Sequence, residues 1–223
     1  MKISAQEYAD ALSPLHIGSS GNTLEESIQV CQWLVDAGID ALHVSTGAFF
    51  PHPKNPCGSD LPVDDLVKSY DTMISSGERT FANFLLFHGA SGQFARQQWN
   101  REAGPVNEIE GKNLPDARAI KAAVNVPVIC TGGFQTASVI DKAIRNKDCD
   151  AVSMARTLVA NNDLPKVFAS GKDRAAKPCT YCNRCLVNVV ENPLGCYDVS
   201  RFDNDRQAMV AQIMSVFDPP PFV

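Results

Sequence analysis

VPVICTGGFQTASVIDKAIRNKDCDAVSMARTLVANN, residues 126–162, is the stretch whose reading decides the fold. Val126-Pro127-Val128-Ile129-Cys130 is a short apolar run, as expected of a strand buried on both faces. It ends in Thr131-Gly132-Gly133-Phe134, where paired glycines allow a sharp turn and a close backbone approach to a ligand. Val139, Ile140, Ala143 and Ile144 then fall on one face of a helix. A second buried strand, Asp150 to Ala155, is closed by Arg156. A strand, a Gly-Gly loop, a helix and a strand in roughly thirty residues make one βαβ crossover. Its chemistry suits a phosphate: backbone N–H groups in the loop and a guanidinium at the next strand end. The loops after the last two strands of a (β/α)8 barrel are where such barrels hold phosphate.

Working outward, 223 residues with 44% hydrophobic and 20% charged residues describe one ordinary globular domain. A formal net charge of −5 argues against a general nucleic-acid binder. No apolar run is long enough to span a membrane. The first residues carry no apolar signal region, so the eight cysteines are expected as thiols or metal ligands in the cytoplasm.

Lys2-Ile3-Ser4 starts the chain as a strand, and residues 9–23 are rich in turn formers. Asn22 or Thr23 can cap a helix whose apolar stripe is Ile28, Cys31, Leu34 and Val35, with Gly38 as its stop. Cys31 is therefore a core thiol. A parallel strand follows over residues 39–47, and His43 inside it reads as a satisfied core histidine. The proline-rich loop to residue 62 has the position of a lid or substrate wall, with Phe49, Phe50 and His52 as its candidate contacts. Leu61 to Trp99 is helical in outline, although Thr80–Phe87 also suits a short strand; Arg96, Trp99 and Arg101 are expected at the surface. Helices are further expected from about Asn113, after Asn161-Asn162-Asp163, and around Met209, Ile213, Met214 and Phe217.

Cys179, Cys182 and Cys185 form C-x2-C-x2-C, and Cys196 follows after ten residues. Four thiolates in this spacing suit a [4Fe–4S] cluster. Tetrahedral zinc uses the same ligands, and unmetallated thiols kept for packing are the third reading.

Thr131-Gly132-Gly133-Phe134 and Met154-Ala155-Arg156 resemble the last two strand ends of the old yellow enzyme (NADH:flavin oxidoreductase) family. The similar branch includes 2,4-dienoyl-CoA reductase and trimethylamine dehydrogenase. The resemblance runs from about Met1 to about Phe217 and covers the C-terminal half of that family's barrel. It implies FMN as cofactor, NAD(P)H as reductant and an activated alkene or similar small molecule as acceptor. It also implies Gly132, Gly133, Phe134, Ala155 and Arg156 at the FMN phosphate and Lys2 at the flavin ring. The cysteine motif falls where that branch carries a cluster, just after the barrel's last helix. The family's His/Asn pair and Tyr come from earlier strands, so no catalytic residue is assigned.

The expected fold is α/β: the C-terminal half of a (β/α)8 TIM barrel, about four βα units over residues 1–175. A Cys-rich segment and a helix, residues 176–223, would pack on it. Such a half barrel leaves an inner face and two sheet edges uncovered. A homo-oligomer or a complementary N-terminal half barrel would cover them; the remaining reading is a truncated gene product. The expected function is an FMN-dependent, ene-reductase-like oxidoreductase or its flavin-binding half. The alternative is a catalytically inactive half barrel serving as a binding or assembly subunit. A phosphate-binding isomerase or aldolase barrel shares the Gly-Gly loop but leaves the cysteines unexplained.

Overall fold

The computed structural model describes residues 1–8, 21–47, 52–54 and 58–216. Residues 9–20 of the expected loop over 9–23, the candidate contacts Phe49 and Phe50, Cys57, Phe217 and the terminal prolines lie outside them. The architecture is α/β, with a four-stranded parallel sheet whose strands lie side by side in chain order, and is compatible with a partial TIM barrel. No helix among the described residues is long and apolar enough to cross a membrane.

The strands are β1 (Lys2–Ser4), β2 (Leu42–Ser45), β3 (Val128–Thr131) and β4 (Ala151–Ser153). Their register aligns Ile3, Val44, Cys130 and Val152 across the sheet, and Leu42 with Val128. Because side chains alternate between faces, these residues share one face. That face is the main core, closed by Cys31 and Ile28 of α1 (Leu24–Asp36), Ala117 and Ile120 of α5 (Leu114–Ala123) and Ala143 of α6 (Ala137–Arg145). The other face carries Lys2, His43, Ile129 and Ala151 in one row. Those four are half-buried or exposed. Of the two strands expected to be buried on both faces, β3 is buried on one and β4 only half-buried there; Ala151 is exposed because nothing among the described residues packs over it.

Local chemistry explains the helix ends. Thr23 caps α1 in a reciprocal capping box with Glu26, Thr23 Oγ1 accepting from Glu26 N and Glu26 Oε2 from Thr23 N. Gly38, at φ +96°, turns the chain after it. Ile144 and Met214, expected on buried stripes, are 36% and 50% exposed, since each sits at the margin of its helix's packed face.

Between β2 and α5 lies a helical insert, α2 (Val63–Thr72), α3 (Glu78–Phe87) and α4 (Ala90–Ala103). Thr80–Phe87 is helix, not strand. The insert has its own core of Leu61, Val63, Leu66, Tyr70, Phe87, Trp99 and Ala103. Trp99 is 3% exposed, which corrects its expected surface position: three helices pack together here and need a large side chain to fill their centre. Val187 joins this core from α9 (Arg184–Asn188) in the cysteine-bearing segment. Arg184 pairs with Asp65 at 2.7 Å, and Ser69 Oγ donates to the Val187 carbonyl at 3.0 Å. After β4 come α7 (Arg156–Ala160) and α8 (Leu164–Ala169). The last helix, α10 (Arg206–Val216), buries Met209 and Ile213.

Candidate active site

A cavity of about 390 Å³ opens at the C-terminal ends of the strands, within the usual range for small-ligand sites. Ser45, Thr46 and Gly47 line it from the end of β2, Thr131, Gly132 and Gly133 from β3, and Ser153, Ala155 and Arg156 from β4. Lys2, Lys54, Lys112 and Arg156 bring four cations to its lining, and no carboxylate lines it among the described residues. Of the residues singled out in the sequence, Lys2, Gly132, Gly133, Ala155 and Arg156 meet there. Phe134 does not: its side chain is 0% exposed, in the main core, and its carbonyl accepts from Thr157 Oγ1 at 2.8 Å.

Only one of the paired glycines is required by its conformation. Gly133 has φ +68°, and a Cβ there would stand 3.2 Å from the Tyr181 ring and 3.3 Å from Ile109. At Gly132 the nearest atom would be 3.4 Å away, an ordinary contact, and φ is not left-handed. The chain beyond the glycines is anchored by Glu110, whose carboxylate accepts from the backbone N–H groups of Gln135 and Thr136 at 2.7 Å each. Asn113 Nδ2 donates to the Thr131 carbonyl at 2.6 Å.

On the floor of the site, His43 Nε2 lies 2.7 Å from both Thr131 Oγ1 and Ser153 Oγ, which are 2.6 Å from each other. Burial, then the charges of Lys2 and the N-terminal amine, push the His43 pKa down, favouring the neutral imidazole. His43 is thus satisfied by two hydroxyls, but it is half-buried on the sheet face opposite the main core, which corrects its expected place inside the core. His52 is 5% exposed and stacks on Tyr8 with ring centroids 5.1 Å apart.

The cysteine-bearing segment abuts the site. Tyr181 Oη donates to the Gly133 carbonyl, Gln135 brackets the backbone of Cys179, and Arg156 reaches Asn183. Tyr181 and Asn183 both hold left-handed backbone, at φ +60° and +61°. Cys179, Cys182, Cys185 and Cys196 are free thiols of intermediate burial. Burial pushes the Cys179 and Cys182 thiols up and that of Cys185 to about 12, and neighbouring thiols of the set add to the effect. Tyr181 N–H points at Cys179 Sγ across 3.4 Å. The residue types suit a thiophilic metal, yet no group of three or more His, Cys, Asp or Glu among the described residues is arranged to hold one.

Lys112, Asn113, Thr131 and Ser153 were not assigned to the site from the sequence. Their signal is weak, because a hydroxyl at a strand end becomes a site residue only once register sets it beside its neighbour. Tyr181 and Asn183 lay between the cysteines, whose spacing drew attention to the thiols rather than to the residues separating them.

No family model matches the chain. Among curated relatives, an NADH oxidase of Thermoanaerobacter brockii is 25% identical over 191 residues, 79% of this chain and 22% of that protein. An NADH-dependent flavin oxidoreductase of Talaromyces variabilis is 24% identical over 156 residues, 70% of this chain and 28% of that protein. A multifunctional alkene reductase/demethylase of Caballeronia cordobensis is 32% identical over 83 residues, 36% of this chain and 12% of that protein. The matched part spans less than a third of the length of each of these relatives. They are named as an oxidase, an oxidoreductase and a reductase, and the similarity of this chain to part of each is consistent with an old-yellow-enzyme-like family of NADH:flavin oxidoreductases.

Proposed function

We propose that this chain is the flavin-binding part of an FMN-dependent NAD(P)H oxidoreductase of old yellow enzyme type, with ene-reductase-like chemistry. The observation that carries the reading is the cavity at the strand ends, lined by four cations and the left-handed Gly133 with no carboxylate among the described lining residues. A dianionic phosphate is the ligand such a lining favours, and a guanidinium matches its oxygens better than an ammonium does. Arg156 and the backbone of Gly132, Gly133 and Ala155 would hold the FMN phosphate. Lys2 would supply positive charge at the flavin ring. FMN held by these residues would supply hydride transfer from NAD(P)H to an acceptor, and the protein would supply position and electrostatics. The names of the relatives support the same class.

The division into a partial barrel over 1–175 and a cysteine segment over 176–223 belongs to this proposal, as does the reading of the sheet as half of a TIM barrel. So does a [4Fe–4S] cluster or zinc on Cys179, Cys182, Cys185 and Cys196, supported by donor type and spacing. Free thiols suit a reducing compartment such as the cytoplasm. A second copy, or a complementary half barrel, would cover the open face that carries Ala151 and Ile129. The test is a visible spectrum with metal analysis of the purified protein. Flavin bands, with FMN released on denaturation, are the expected result. Colourless protein that takes up no added FMN would instead support an inactive binding or assembly subunit.

A further inference from the structure

Arg156 Nη1 donates to Asn183 Oδ1 at 2.6 Å. Asn183 is 1% exposed, and its Nδ2 donates to the Asp60 carbonyl at 3.3 Å. A guanidinium only donates and a carbonyl only accepts, so one orientation of the amide satisfies both partners. The amide is also enclosed: a Cβ on Gly58 would lie 2.0 Å from Asn183 Nδ2 and 2.7 Å from the Tyr181 carbonyl. From another direction the Arg156 guanidinium lies over the Tyr181 ring, 5.5 Å from its centroid. A long, rotamer-rich side chain is therefore restrained by two residues of the loop that carries Cys179 and Cys182.

We propose that Asn183 is a positioning residue for Arg156, and that the conformation of the cysteine-bearing loop thereby sets the affinity of the site for phosphate. The proposal rests on the reading of Arg156 as a phosphate ligand. A guanidinium fixed before binding loses less rotamer freedom when a phosphate arrives. A neutral amide fixes it without neutralising it, whereas a carboxylate in the same place would compete with the ligand for its charge. Residue 183 also needs left-handed backbone, at φ +61°, which asparagine accepts more readily than most residues.

The experiment compares FMN with riboflavin, the same ring system without phosphate, by flavin fluorescence titration of the full chain and of three variants. Asn183→Gly keeps the left-handed backbone and deletes the amide. Asn183→Asp keeps the shape and pairs Arg156 with a charge, and Arg156→Gln removes the guanidinium. Thermal midpoints check that each variant is folded. The FMN dissociation constant is expected to rise about tenfold in Asn183→Gly and roughly a hundredfold in Asn183→Asp, in line with losing or neutralising a charge-assisted contact. Riboflavin binding should stay within about twofold, because the effect is directed at the phosphate. If Arg156→Gln weakens FMN selectively while both Asn183 variants bind as the parent does, this inference fails and the FMN-phosphate reading stands. Equal weakening of FMN and riboflavin would also overturn it, as a merely structural role predicts. A parent protein that does not prefer FMN to riboflavin removes the phosphate reading, and this inference with it.

Discussion

The Tyr181 hydroxyl donates a hydrogen bond to the Gly133 carbonyl at 2.6 Å, joining two segments 48 residues apart in sequence. Gln135 Nε2 donates to the same hydroxyl oxygen at 2.8 Å and to the Cys179 carbonyl at 3.1 Å, while its Oε1 accepts from Cys179 N–H at 2.8 Å. Burial pushes the Tyr181 pKa up, which favours the protonated hydroxyl that donates this bond. The glycine loop and the cysteine loop are in this way one hydrogen-bonded unit.

Tyr181→Phe deletes that donor and leaves the Gly133 carbonyl short of a partner inside the protein. A cost of about 1–3 kcal/mol is expected from an unsatisfied buried acceptor. Urea unfolding should show it as a lower midpoint with an unchanged slope. An unchanged midpoint would mean that the bond is not formed in solution.

The two glycines should part company when each is changed to alanine. Gly133→Ala forces a side chain into left-handed backbone against Tyr181 and Ile109, at about 1–2 kcal/mol. Gly132→Ala meets only ordinary contacts and should leave stability within about 0.5 kcal/mol. Since Gly132 lines the cavity, its variant should still lose FMN affinity. Equal destabilisation by both changes would contradict the assigned backbone geometry.

His43 makes stability depend on pH in a definite direction. Burial and the charges of Lys2 and the N-terminal amine lower its pKa in the folded state, whereas the unfolded chain titrates near the ordinary value of about 6.5. As pH falls through that value the unfolded state binds a proton that the folded state resists, so stability drops on acidification. Unfolding midpoints at neutral pH and one to two units below should differ more in the parent than in His43→Gln. Parallel pH dependences would show that His43 is not the group responsible.

The sheet offers two edges, β1 and β4, and a face on which Ala151 is exposed and Ile129 only half-buried. Such surfaces seek cover. Expressed as these 223 residues, the chain should sediment as a dimer or larger at micromolar concentration. A sharp monomer boundary together with cooperative unfolding would count against the proposed partner.

Much of this was legible in residues 126–162, where the Gly-Gly turn and Arg156 stand at the ends of consecutive strands and meet at one cavity. The apolar runs were readable as strands, but not which face each would lose to solvent. Val128 and Cys130 are fully buried while Ile129 between them is not, a difference set by what covers the sheet rather than by hydropathy. Trp99 was misread because polar neighbours in Gln98, Asn100 and Arg101 hide a core position whose partners come from α2 and α3. The bonds joining Asn183 to Arg156 and Tyr181 to Gly133 span 27 and 48 residues. Contacts of that range have no periodicity to betray them.

The helical insert has a consequence for how the chain is made. Its core is completed by Val187, and its bonds to Arg184 and Val187 reach across 119 and 118 residues. At ordinary rates of synthesis, α2 to α4 emerge on the order of ten seconds before that partner exists. Throughout that interval the apolar sides of Leu66, Tyr70 and Phe87 lack their final neighbour. Newly made chains should therefore engage holding chaperones at the insert, and ribosome-bound chains stalled before residue 184 should be cut there by protease more readily than chains stalled after the last residue has cleared the tunnel.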